Sequence, residues 1–299
     1  MPNDTNALRA FDYTALMERL HPLADTYPFV TLSYIGTSIL DRAIPILHIG
    51  SGSRRVLYVG AHHGMEWITS LLLTQFLEEL CQAIKAQKRV CGIYPCDLLE
   101  GYTISIIPML NPDGVEYQIH GVAEDNPLRE RLLEMNGGNE DFSFWQANAR
   151  GVDLNHNYDA GFTEYKSIEA RDGISAGRSL YSGESPESEP ETRGVANVVR
   201  TLMPYALVSL HTQGEEIYAF PRTRKTLRCA ERLAQLTGYR VSTPDGTAGY
   251  GGLSDYSATL GIPSFTIELG KGVNPLSEDC LPDFFTRVAD AVALLPTLL

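Results

Sequence analysis

The sequence predicts an α/β protein, one sheet with helices on both faces. Apolar, β-rich runs alternate with helical patterns along the chain. Several of those runs are short and unbroken, as strands buried on both faces are. No repeat, low-complexity tract or linker interrupts the 299 residues. We therefore expect a single domain over residues 1–299, its core spanning about 28–298 behind an N-terminal helical extension, 1–27.

In chain order, strands are expected at 43–49, 56–60, 102–109, 206–210 and 264–269. Between the second and third, 67–85 reads as a helix because Ile68, Leu72, Phe76, Leu80 and Ile84 fall four apart on one stripe. A second helix opens at Ser188-Glu189-Pro190-Glu191, with Ser188 as N-cap, Glu191 completing a capping box and Pro190 tolerated in the first turn. A third, 282–295, closes the chain. The segment 120–183 is polar, rich in Gly and Asn and without clear period, which predicts an elaborate loop-built face.

Composition excludes several classes. At 43% hydrophobic and 20% charged, the chain is neither a disordered tail nor a collagen-like rod. Its net charge of −13 would be repelled by a phosphate backbone, which excludes nucleic acid as a partner. No run reaches the roughly 18 apolar residues of a membrane span. The polar start, Met1 to Asn6, has no signal-peptide pattern, and five scattered cysteines read as reduced thiols; both lead to the expectation of a cytoplasmic protein. Cys91 and Cys96 are followed by no second pair that would complete a metal site.

Four segments carry chemistry. In Val59-Gly60-Ala61-His62-His63-Gly64-Met65-Glu66-Trp67 a strand ends, two histidines follow, and Glu66 stands in the first turn of a helix. Ligands bind at the carboxyl ends of strands in open α/β sheets. His63 and Glu66 could therefore face one ion, or be a surface histidine and a carboxylate favoured by the helix dipole. Ala206 to His211 repeats the arrangement, a buried strand ending in histidine. Two histidines and a carboxylate at strand ends make a three-ligand set with a position left for water. In Ser264-Phe265-Thr266-Ile267-Glu268-Leu269, Glu268 lies on the polar face of an apolar strand. It is either a solvated edge residue or, beside a metal, the natural general base. Finally Asn148 to Asp159 packs Arg, Asp, Asn and His into twelve residues, a solvated loop or part of a site.

Together these segments resemble the zinc metallocarboxypeptidases, of which carboxypeptidase A is the prototype. The matches are Gly60-Ala61, His63, Glu66-Trp67-Ile68-Thr69, Asn111-Pro112-Asp113-Gly114, Gly151-Val152-Asp153-Leu154-Asn155, Ser209-Leu210-His211 and Phe265-Thr266-Ile267-Glu268-Leu269. They run in the family's order over nearly the whole chain. The resemblance implies an α/β/α sandwich around a mixed, mostly parallel eight-stranded sheet. It also implies one zinc ion held by His63, Glu66 and His211, Glu268 as base, and Asp153 as the partner of His63. His62 is then structural or substrate-facing.

Some positions depart from the pattern. Where pancreatic-type members carry the arginine that clamps a C-terminal carboxylate, this chain has His156, which cannot form a bidentate fork. Met65 replaces the arginine before the Glu ligand. Gln146 takes the place of the oxyanion arginine, leaving Arg150 as the nearest substitute. The family's mobile tyrosine aligns with Thr247, and Tyr250, between Gly249 and Gly251, is the expected replacement. The wording of the segments resembles a bacterial branch, the γ-D-glutamyl-L-diamino acid peptidases, which cut cell-wall peptides between D-glutamate and diaminopimelate. In that branch a basic residue often stands where this chain has Ser254, so Lys271 becomes the candidate carboxylate clamp. Asn155, His156 and Tyr250 would orient the substrate. The expected activity is zinc-dependent hydrolysis of that bond, in muropeptide turnover or recycling. The alternatives are a conventional metallocarboxypeptidase acting on α-linked peptides, an aspartoacylase-type amidohydrolase, and a metal-free binding module.

Overall fold

The strand Ala206–Thr212 is buried at every position, as a strand is when helices cover both faces of a sheet. It lies near the middle of a single mixed sheet of eight strands in the computed structural model, which describes residues 11–244, 246 and 249–299. The polar N-terminus, 1–10, and Thr247 lie outside the described residues. The strands are β1 (Val30–Thr37), β2 (Ala43–Ile49), β3 (Arg54–Val59), β4 (Tyr102–Ile107), β5 (Ala206–Thr212), β6 (Glu216–Phe220), β7 (Arg240–Val241) and β8 (Ser264–Leu269). Their spatial order is β1-β2-β4-β3-β5-β8-β6-β7. The β1/β2, β2/β4 and β6/β8 pairs are antiparallel and the other four parallel.

The helices are α1 (Tyr13–Thr26), α2 (Ile68–Lys85), α3 (Pro95–Gly101), α4 (Pro112–His120), α5 (Arg129–Met135), α6 (Phe162–Asp172), α7 (Pro190–Leu202), α8 (Arg224–Thr237), α9 (Leu253–Thr259) and α10 (Leu281–Leu298). Alternation along the strands divides the core in two. Val56, Tyr58, Val208, Leu210, Phe265 and Ile267 face a layer that includes α1, α2, α8 and α10, through side chains such as Leu16, Phe76, Leu233 and Val288. Leu57, Val59, Ile107 and Leu207 face the opposite way, onto α7 and α9 through Val195, Val199, Leu253 and Tyr256.

The five strands expected from sequence are all present, with β3 starting earlier, at Arg54, and β4 stopping at Ile107. β1, β6 and β7 were not anticipated. β1 is exposed over much of its length, β6 alternates buried and half-buried residues, and β7 has only two residues. The capping box expected at α7 does not form. The N-cap is Glu189, Ser188 donates to the Glu189 carboxylate, and the buried Glu191 accepts from the Ile39 amide and Asn148 instead. The segment 120–183 is likewise more ordered than its polarity suggested: it contains α5, α6 and a 3-10 turn, Leu154–His156. Part of it, with Tyr117 of α4, forms a third apolar cluster that includes Phe142 and Trp145.

Candidate active site

β3, β5 and β8 run parallel, so their carboxyl ends open on one side of the sheet. Beyond Val59 the chain turns through Gly60-Ala61-His62-His63 into a 3-10 turn, Gly64–Glu66, before α2 begins. The turn presses on the start of α4 so closely that a Cβ on Gly64 would lie 2.3 Å from the Gly114 carbonyl oxygen, so only glycine fits. Asn111, the N-cap of α4, fixes the neighbourhood: its Nδ2 donates to the carbonyls of His62, Gln146 and Ala147.

His63, Glu66 and His211 converge. Their ligand atoms lie within 4.8 Å of one another. Glu66 Oε1 is 2.9 Å from His63 Nδ1, and Glu66 Oε2 is 3.0 Å from His211 Nδ1. The far nitrogens are engaged elsewhere, His63 Nε2 with Asp153 Oδ1 at 3.1 Å and His211 Nε2 with Ser209 Oγ at 2.9 Å. Asp153 also accepts from the amides of Asn155 and Leu180, which lock its carboxylate in place. His62 is fully buried, its Nε2 3.1 Å from the Tyr158 hydroxyl and its ring stacked on His211, which is a structural role.

Charge follows from the packing. Burial pushes the Glu66 carboxyl up, but His63 and His211 outweigh it and hold the group well below the carboxylate range. Asp153 is held low in the same way, burial being outweighed chiefly by His63. His62 is pushed well below the usual histidine value by burial and by the two neighbouring imidazoles. Glu268, the register partner of His211 across β5 and β8, goes the other way: burial and the charge of Glu66 raise it to about 8.

This donor set fits a divalent ion. His63 Nδ1 is buried and has no hydrogen-bond partner, although Glu66 Oε1 is only 2.9 Å away. The two atoms are close without the geometry of a hydrogen bond, within a cluster of three ligand residues. Two imidazole nitrogens and one carboxylate form a catalytic zinc set. A family model described as zinc carboxypeptidase matches residues 16–284.

The chain belongs to the zinc carboxypeptidase family.

It is accordingly a metallopeptidase. It is 33% identical over 297 residues to gamma-D-glutamyl-L-diamino acid endopeptidase 1 of Lysinibacillus sphaericus, covering 97% of this chain and 72% of the relative. Its fold matches that of thrombin activatable fibrinolysis inhibitor with a TM-score of 0.72 at 20% identity, over 96% of this chain and 73% of that one. It also matches murein-tripeptide amidase MpaA from Escherichia coli O157, with a TM-score of 0.55 at 19% identity, over 88% and 91% of the two chains.

The remaining expected residues of this zinc carboxypeptidase relative are distributed unevenly. Asn155 Oδ1 accepts from the Leu253 amide and so ties the Asp153 loop to α9. His156 is 7% exposed and lies flat on Tyr165, ring centroids 4.2 Å apart, with Nδ1 2.8 Å from the Tyr250 carbonyl oxygen. The histidine thus supports the segment that carries Tyr250. Arg150 is half-exposed, its guanidinium 3.7 Å from Glu189. Gln146 contributes backbone: its carbonyl accepts from the Gly64 amide and from Asn111. Lys271 is engaged with Glu215 at 2.8 Å rather than with any residue of the His63, Glu66, His211 cluster. Sequence reading missed Ser209, which holds His211. Its position two residues earlier on the same strand face was the available signal.

Proposed function

We propose that this protein is a single-domain, one-zinc peptidase that hydrolyses the γ-D-glutamyl–diaminopimelate bond of cell-wall peptides, in muropeptide turnover. The observation that carries the choice of substrate is the chemistry at residue 156. An imidazole stacked on Tyr165 and bonded to a backbone carbonyl offers no fork for an α-linked C-terminal carboxylate. The name of the Lysinibacillus sphaericus relative supports the same bond. Five unpaired cysteines support a reducing compartment.

His63, Glu66 and His211 would hold the ion, which when bound supplies Lewis acidity to polarise a water and the scissile carbonyl near neutral pH. Glu268 takes the proton from the attacking water and passes it to the leaving amine nitrogen. Asp153 accepts from His63 Nε2, which fixes the imidazole so that Nδ1 faces the site. Arg150, whose guanidinium lies 3.7 Å from Glu189, would turn to the developing oxyanion, a contact typically worth roughly 3 kcal/mol. Asn155, His156 and Tyr250 shape the wall that orients the substrate.

The test is mass spectrometry of the products from L-Ala-γ-D-Glu-meso-diaminopimelate, with zinc-loaded and EDTA-treated protein side by side. Release of free diaminopimelate, lost with EDTA, is the expected result. An intact tripeptide, alongside trimming of an ordinary α-linked C-terminus, would replace this reading with that of a conventional carboxypeptidase.

A further inference from the structure

Four register partners form one row across the sheet: His211 on β5, Glu268 on β8, Glu216 on β6 and Arg240 on β7. Directly paired residues share a sheet face. The neighbouring row, Leu210, Ile267, Ile217 and Val241, packs into the apolar core on the opposite face, so the first row points to the side that carries the active site. A Cβ placed on Gly214 would be 3.4 Å from Glu216 Cγ and 3.6 Å from Glu268 Cβ, so both glutamates flank one point beside Gly214. Glu216 is held there by a charged contact from Arg240 and by the Tyr218 hydroxyl, which donates to Oε2 at 2.8 Å. The side chain of Arg240 is 69% exposed and also bonds Ser242, which leaves further N–H groups toward solvent.

We propose that Glu216 and Arg240 form a specificity subsite for the zwitterionic far end of the diamino acid. The inference rests on the substrate reading given above. Diaminopimelate carries an ammonium and a carboxylate on one carbon, five bonds from the scissile nitrogen and so about 6 Å away when extended. Two strand spacings put the Arg240 Cα roughly 10 Å from that of Glu268, a gap that the substrate and an arginine side chain together span. The ammonium pairs with Glu216 and the carboxylate with the Arg240 guanidinium, one opposite charge for each. Lysine, which lacks the second carboxylate, satisfies only Glu216.

The experiment compares kcat/KM for L-Ala-γ-D-Glu-meso-diaminopimelate and L-Ala-γ-D-Glu-L-Lys in the zinc-loaded wild type, Arg240→Gln and Glu216→Gln. The wild type is expected to favour the diaminopimelate peptide. Arg240→Gln should lower that preference about tenfold to a hundredfold, through KM rather than kcat. Glu216→Gln should weaken both peptides and leave the ratio standing. Melting temperatures of the three proteins check that each is folded. A preference unchanged by Arg240→Gln overturns the subsite while leaving the proposed function in place. A wild type that cuts neither peptide overturns the function and this subsite with it.

Discussion

Glu268 stands on a buried strand of otherwise uncharged residues, where an ionised carboxylate is expensive unless a charge faces it. Burial and Glu66 raise it to about 8, so it binds a proton readily, and a cation held by His63, Glu66 and His211 would favour its ionised form. Replacing it with Gln keeps the shape and removes the proton acceptor. Glu268→Gln should therefore lower kcat by about a hundredfold to ten-thousandfold. Zinc content by elemental analysis should stay at one per chain, and retained turnover would remove Glu268 from the role of base. Asp153 makes a different prediction because it acts through His63. Asp153→Asn should weaken zinc about tenfold to a hundredfold in a chelator competition. These residues were legible because each stands in a short local pattern, Glu268 within β8 and Asp153 just before a 3-10 turn. Glu216 and Arg240 were harder to find, since what they face depends on strand pairing between residues far apart in sequence.

At the scale of elements, α2 and the five core strands were readable because burial imposes an unbroken or strictly periodic apolar pattern. α7 shows where local reading fails. Ser188 and Glu191 have the spacing of a capping box, but tertiary contacts claim Glu191, which is fully buried among Ile39, Asn148 and the charges of Asp113 and Glu189. Burial, reinforced by those two carboxylates, raises its pKa to about 8. Because the folded value lies above the unfolded one, the native state binds this proton more tightly. The resulting stability is fully present below about pH 4.5 and is lost as pH rises toward 8. Glu191→Gln, which imitates the protonated acid, should flatten that part of the stability curve. It should raise stability at pH 8.5 by on the order of 4 kcal/mol while changing it by less than about 1 kcal/mol at pH 5. Urea midpoints at the two pH values check this, and a variant that loses stability equally at both would show that the buried group is ionised.

For the whole molecule, the overall α/β/α arrangement was legible because the family motifs follow in order over nearly the whole chain. The ordering of the long segment was not, since α6 buries only Phe162, Tyr165 and Glu169 and carries no strong period. Yet that segment supplies Asp153, which reaches His63 beyond the end of β3, while His211 arrives from β5. An ion gripping His63, Glu66 and His211 would tie together elements far apart in sequence, so its binding energy would become folding energy. Zinc at a hundredfold excess over its dissociation constant should stabilise the native state by about 2.7 kcal/mol. For a chain of this length that corresponds to a melting temperature about 4 °C higher than after EDTA treatment. Glu268→Gln should keep the increment, and Glu66→Gln should lose most of it. Equal melting temperatures with and without zinc in the wild type would separate the ion from the stability of the fold, and would count against these three residues as its ligands.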